Sequence, residues 1–413
     1  MSSSVLIYNI SDLVTLAPLG RARRANRVEK TDLGRYENAW LACENGKVVG
    51  FGSGKVDARF EGFPKKDARS SLVMPGLVDS HTHPIFGGNR AKEFCARLDG
   101  KTYQDIAASG GGIKFTVAET RSATDENLLA FTKYNLRRFL SLGITTLEAK
   151  SGYGLSPTQE LRLLRIIKAA ANASPQTVVS TCLALHAVPK EYASKEAYIR
   201  EIISELLPEI QKQKLATYVD AFVEKGYFSV EDTAPYIEKA RSLGLKVRIH
   251  ADEFADGGGA SAAATWGAAS ADHLEHASAG GIAAMAKAHT VAILLPGTSL
   301  YTGIPYANAR RFIDQGCAVA LATDFNPGSC VVDNLAFIAT IGALHCKLKP
   351  HEAIAAVTYA AAFSLGLGES KGSLAEGFDA DFFISPLKDM ESWLSDLGRH
   401  PPTEVWIAGK GVL

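Results

Sequence analysis

The chain has 413 residues, 46% of them hydrophobic, and its 44 Lys+Arg balance 44 Asp+Glu. That length accommodates one large domain of about 250 residues or more with a smaller one beside it, and balanced charge without long blocks of one sign argues against nucleic acid or an anionic membrane as partner and for a small-molecule ligand. The six cysteines lack C-x-x-C spacing, which predicts reduced thiols in a cytoplasmic protein rather than disulfides or a cysteine zinc site.

In chain order, the first 70 residues show short strands and turns such as Glu44-Asn45-Gly46-Lys47. Tyr8 and Asn9 interrupt the apolar Val5-Leu6-Ile7, so no export signal is expected, and no later apolar run is long enough to span a membrane. From about residue 72 to 325, short apolar runs alternate with longer amphipathic segments. Strands are predicted over 72–81, 144–150, 177–186, 218–224, 246–251, 271–276, 290–296 and 318–324. Eight such units imply a parallel sheet closed into a (β/α)8 barrel. Helix signals lie between them. Ser156-Pro157-Thr158-Gln159 opens one with Leu161, Leu164 and Ile167 on its apolar face, Asp125 to Leu142 forms another closed by Gly143, and Ser229 opens a third that ends at Gly244. The tail, with Gly372 to Gly377 ahead of the alternating Asp379-Ala380-Asp381-Phe382-Phe383-Ile384, repeats the style of the start. The α/β chain therefore divides into a barrel over 71–368 and a small β-sandwich built from 1–70 and 369–413.

Polar residues at the C-terminal ends of barrel strands face a common mouth. His81 and His83 end the first predicted strand, and alternation along a strand puts both imidazoles on one side. His250 ends the fifth strand, His273 lies in the sixth and Asp324 closes the eighth. Imidazoles with one carboxylate suit Zn²⁺ or Fe²⁺ and leave a position for water, whose pKa the metal lowers toward neutrality, so hydrolysis is the expected chemistry. His273 and Glu253 are placed to orient or deprotonate that water and polarise a carbonyl, and Asp324 to pass the proton to a leaving nitrogen. Taken singly, His250 and Asp324 are more readily read as core hydrogen-bonding groups, and Glu253 is as readily a solvated loop carboxylate; it is their agreement in strand position that points to a site.

The pattern His81-Thr82-His83, His250, His273 and Asp324 resembles the amidohydrolase superfamily in its single-metal form. The stretches 83–91 (HPIFGGNRA), 110–113 (GGGI), 148–155 (EAKSGYGL), 185–189 (LHAVP), 250–253 (HADE) and 323–329 (TDFNPGS) are similar to the imidazolonepropionase family, across nearly the whole chain. The resemblance implies hydrolytic opening of 4-imidazolone-5-propanoate to N-formimidoyl-glutamate in histidine degradation. It implies one zinc or iron ion on His81, His83, His250 and Asp324. Arg90, Tyr103 and Tyr153 would hold the substrate's carboxylate and ring, His186 and Glu253 would contact the imidazolone, and Asn326, Gly328 and Ser329 would meet the product's glutamate end. A guanidinium fork with phenol donors suits an anionic propanoate, and backbone N–H groups of a glycine-containing loop suit a carboxylate.

Several features stay outside that set. Many members of the family carry Gln where this chain has Glu253, which leaves acid-base and simple hydrogen-bonding roles both open. Glu224 ends the fourth predicted strand, where two-metal relatives place a bridging carboxylate. Lys150 is expected to be a buried or salt-bridged structural lysine. Gly110 to Gly112 lacks the Lys-Ser/Thr of a phosphate loop and is expected to form a lid, and Gly257 to Gly259 a flexible turn. His276, His289, His345, His351 and His400 have no strand-tip partners and are expected to be structural or solvated. Rival readings keep the barrel but deaminate a nucleobase or open a dihydropyrimidine, or make it an inactive scaffold. A symmetric homodimer is the default assembly.

Overall fold

The structure, a computed structural model, describes residues 4–101 and 111–413. Eight parallel strands make the barrel sheet: β5 (Leu77–Asp79), β6 (Ile144–Lys150), β7 (Thr177–Leu185), β8 (Tyr218–Val223), β9 (Lys246–Ala251), β10 (Ser270–His273), β11 (Val291–Leu294) and β12 (Val319–Leu321), hydrogen-bonded in sequence order. Helices cover the outside, so the strands are buried on both faces; every residue of β6 is buried. The helix signals hold. Ser156 Oγ accepts the Gln159 N–H at the start of the helix Pro157–Asn172, whose Leu161, Leu164 and Ile167 are buried, and Ser229 with Asp232 forms a capping box on Val230–Ser242.

The chain ends build a seven-stranded mixed sheet from β1 (Ser4–Val14), β2 (Arg35–Glu44), β3 (Lys47–Ser53), β4 (Lys65–Pro75), β13 (Phe382–Ile384), β14 (Glu404–Ile407) and β15 (Lys410–Gly411), in the order β15-β14-β13-β4-β1-β2-β3. The expected sandwich thus takes the form of one continuous sheet. Alternation along its strands divides the apolar residues between two clusters: Ile7, Leu41 and Val73 belong to one, Leu6, Trp40 and Phe60 to the other.

The first predicted strand, 72–81, is corrected by the structure: it is two strands in two different sheets. Residues through Pro75 pair with β1 and β13, and Leu77 begins the barrel. The switch falls at Gly76, whose N–H donates to the Asp381 carbonyl while the next N–H, of Leu77, donates to Gly143. A Cβ at residue 76 would stand 2.1 Å from Thr145 Oγ1, so only glycine lets the chain pass this close to β6. Gly76→Val is expected to lower stability by about 1–3 kcal/mol through overpacking, with partial recovery in Gly76→Val/Thr145→Ala, measured by urea unfolding.

Candidate metal centre

Most barrel strands end earlier than the sequence predicts, and several site residues occupy the turns just beyond, while His250 and His273 stay within β9 and β10. β5 stops at Asp79 and β12 at Leu321, so His81, His83 and Asp324 lie past the regular ladder. The chain nevertheless stays paired there. Thr82 and Phe325 form an isolated parallel bridge, in which the Asp324 N–H donates to the His81 carbonyl at 3.0 Å and the His83 N–H to the Phe325 carbonyl at 2.8 Å. The bridge preserves strand-like alternation: Thr82 turns away to donate its hydroxyl to the Glu148 carbonyl, and the flanking imidazoles face Asp324. Below it, the buried Asp79 accepts both the Thr323 N–H (3.1 Å) and hydroxyl (2.6 Å). Left-handed backbone at His273 (φ 77°) and Asp324 (φ 50°) aims these non-glycine side chains into the mouth, a strained geometry typical of functional positions.

His81 Nε2 is 3.4 Å and His83 Nε2 3.5 Å from the same oxygen, Asp324 Oδ1, while Thr298 donates to Oδ2 at 2.5 Å. Two donors about 2.1 Å from one tetrahedral ion stand about 3.4 Å apart, so these spacings suit shared coordination. His81, His250 and His273 also bring ring nitrogens within 4.8 Å of one another. His81 Nε2 is fully buried and has no hydrogen-bond partner, the condition expected of a nitrogen built to ligate a cation. The donor set therefore fits a metal.

Behind the imidazoles stand carboxylates that the motif reading missed. Asp272 Oδ2 accepts from His81 Nδ1 at 2.6 Å, and Asp220 Oδ2 lies 3.0 Å from His250 Nδ1. Their signal in the sequence is a charge inside an apolar strand, as in Tyr218-Val219-Asp220-Ala221-Phe222. Burial and Lys150 disfavour the charged form of His81, but Asp272 and Asp324 outweigh them and raise its pKa to about 9; a cation would take the place of that proton. Burial pushes His273 down to about 4 and His186 to about 3, and holds the Glu253 carboxyl well above its usual range with help from Glu275, Asp324 and Glu224. Glu275, pushed by burial up to about 8, is a further acid that the motif reading passed over.

The remaining predicted residues divide. Tyr153 is buried with its ring 6.0 Å from His83 and 5.4 Å from His186, whose Nδ1 contacts the Gly152 carbonyl. Glu253 Oε2 is 3.8 Å from His273 Nε2. Arg90 bears on this group electrostatically, through the Tyr153 phenol, but one edge of its fork is already occupied by Glu93, with Nε donating to Oε2 at 2.9 Å. The loop after β12 corrects an expectation: the N–H groups of Gly328 and Ser329 both donate to Asn326 Oδ1 at 2.8 Å and so are not open to a carboxylate. Gly328 instead makes room for Arg90, since a Cβ there would meet Nη1 at 1.8 Å. Tyr103 and Gly110 lie outside the described residues. Glu224 accepts from the Lys225 and Phe254 N–H groups and joins no ligand cluster among the described residues. The turn Gly257–Gly259, expected to be flexible, is pinned by Asp252, which accepts from Gly257, Gly259 and Ala260. Lys150 is buried and ion-paired, as expected, and His276 supports Glu253 by bonding its carbonyl.

Residues 72–412 match the Amidohydrolase family. The chain is 45% identical over 387 residues to imidazolonepropionase of Symbiobacterium thermophilum, covering 92% of this chain and 90% of that protein. It is 39% identical to that of Fusobacterium nucleatum over 99% of both chains. Among solved structures, a triazine hydrolase variant superposes with a TM-score of 0.76 at 15% identity, covering 99% of this chain and 94% of its own, and an adenosine deaminase from Xanthomonas campestris with bound zinc with 0.70 at 18%, covering 99% and 92%; these show a shared fold. The fold and site define a metal-dependent hydrolase on a β/α barrel. The chain belongs to the amidohydrolase family and, within it, to the imidazolonepropionases. Elemental analysis of the purified protein is expected to find one equivalent of divalent metal, lost in Asp324→Ala.

Proposed function

We propose that the protein hydrolyses 4-imidazolone-5-propanoate to N-formimidoyl-L-glutamate in histidine degradation, using one zinc or iron ion held by His81, His83, His250 and Asp324. The observation that carries the proposal is the meeting of His81 and His83 at one oxygen of Asp324, with the unpartnered His81 nitrogen at its centre. Full-length relatives named imidazolonepropionase support the substrate.

When bound, the ion would supply Lewis acidity and lower the pKa of a water at this site. The chain's own groups do the rest. Glu253 and His273, side by side at the tips of β9 and β10, form the acid-base pair that takes a proton from the attacking water. The water oxygen bonds to the ring carbonyl carbon, the adjacent C–N bond breaks, and the proton taken up by the pair is relayed through Asp324 to the leaving nitrogen. His186 and Tyr153 line the approach to the imidazolone, with Tyr103 as a further contact. Arg90 holds the propanoate carboxylate through the part of its guanidinium that Glu93 leaves open. The loop Asn326, Gly328 and Ser329 supports that arginine and borders the product's glutamate end. Among the described residues no helix is long and apolar enough to cross a membrane, and the reading includes a cytoplasmic homodimer.

Freshly generated imidazolone propanoate should lose its ultraviolet absorbance on addition of metal-replete protein and persist when a chelator is present. A protein that leaves the compound untouched while deaminating a nucleobase would overturn the substrate assignment. Arg90→Met should raise KM by about 10- to 100-fold with a smaller effect on kcat, since a buried charge-assisted bond is worth about 1.5–3 kcal/mol. Unchanged KM would show that Arg90 grips no carboxylate.

A further inference from the structure

Beneath the imidazoles, on the side away from the mouth, lies a buried layer of charge that none of these roles uses. Lys150 ends β6 and is wholly buried. Its Nζ stands 2.6 Å from Asp220 Oδ2, 2.9 Å from Glu148 Oε2 and 3.7 Å from Asp272 Oδ2. Arg248, equally buried, stands 2.9 Å from Glu148 and 3.5 Å from Asp272, and donates to the Ser80 and Ser364 carbonyls. The layer thus sets three acids against two cations, and among the described residues Lys150 is the cation that reaches both Asp220 and Asp272. Those two carboxylates are the groups behind His250 and His81.

We propose that Lys150 is a positioning residue for the metal centre: by holding Asp220 and Asp272 in place, it makes His250 and His81 direct Nδ1–H backward and the Nε2 lone pair toward the ion. The inference rests on the reading that these two histidines ligate metal. Its physical basis is that the tautomer and angle of a ligating imidazole are set by the position of the acceptor on its other nitrogen. A buried carboxylate deprived of its cation turns away from an uncompensated position. His250 shows how fine the control is. Its backbone N–H donates to Asp220 Oδ1 at 3.2 Å, while its Nδ1, 3.0 Å from Oδ2, is near that oxygen but off the line of a hydrogen bond. Lys150 holds the same Oδ2, so the lysine fixes where the acceptor stands when the ring aligns.

The test uses the full chain, stripped by chelator, as wild type, His250→Ala, Lys150→Met and Lys150→Met/Glu148→Gln. Each is titrated with Zn²⁺ against a chromophoric chelator and with Co²⁺ followed by visible absorption. Wild type should bind one equivalent and His250→Ala should not. Lys150→Met should bind about 10- to 100-fold more weakly, the range found when a partner behind a ligand is removed, with a changed Co²⁺ spectrum. The double variant restores the balance of buried charge, so thermal stability should recover while the affinity does not. Failure of wild type to bind, or full binding by His250→Ala, overturns the ligand reading. Wild-type binding together with affinity within about twofold and an unchanged Co²⁺ spectrum in either Lys150 variant overturns this inference alone. So does a lysine variant pair that remains unfolded, which would make Lys150 a residue of the fold and not of the centre.

Discussion

The barrel closes through an isolated bridge past the ends of its first and eighth strands, and the rest of the site depends on that contact. β5 and β12 are three residues each. What joins them is the pairing of Thr82 with Phe325, reinforced by Asp79 and Thr323 one layer below. Three of the four proposed ligands sit on this seam. Closing the barrel and assembling the centre are therefore one event: a chain that leaves the seam open also separates His81 and His83 from Asp324. Gly76 belongs to the same construction, because it lets the chain leave the terminal sheet and enter the barrel within one residue, close against Thr145.

From this seam the site is layered by charge. The mouth side holds imidazoles, Asp324 and the raised carboxyls of Glu253 and Glu275; the floor holds Glu148, Asp220 and Asp272 against Lys150 and Arg248. A buried floor of this kind contributes little net stability, since desolvation offsets much of the Coulomb attraction. Its value lies in direction, because it fixes which ring nitrogen of His81 faces the mouth. The side wall follows a similar rule. Arg90 is locked by Glu93, which also accepts the Gly112 N–H, so the guanidinium proposed to bind the anion is preset before any ligand arrives.

Much of this was legible from sequence because it depends on local periodicity and residue type. Eight apolar runs at barrel spacing, helix starts such as Ser156 and Ser229, and His or Asp at strand tips are all one-dimensional signals. The division at Gly76 was not legible: residues 72–81 read as one continuous strand, and only contact with Thr145 and the two sheets reveals the break. That the Gly328 and Ser329 N–H groups are already taken was not legible either, since an Asn-x-Gly-Ser turn that consumes its own N–H groups looks in sequence like a loop offering them. Asp220, Asp272 and Arg248 announced themselves only as charges in apolar strands, and their charged partners lie 24 to 191 residues away. Such pairings belong to the tertiary structure alone.

The central claim is that the closing seam gathers nitrogen and oxygen donors around a single ion. X-ray absorption at the metal edge of the purified, metal-replete protein tests it most directly. The account predicts a first shell of nitrogen and oxygen at about 2.0–2.2 Å with the multiple-scattering signature of several imidazoles and no nearby second metal. A shell containing sulfur at about 2.3 Å, a metal–metal distance of about 3.5–4 Å, or a shell without imidazole would contradict it.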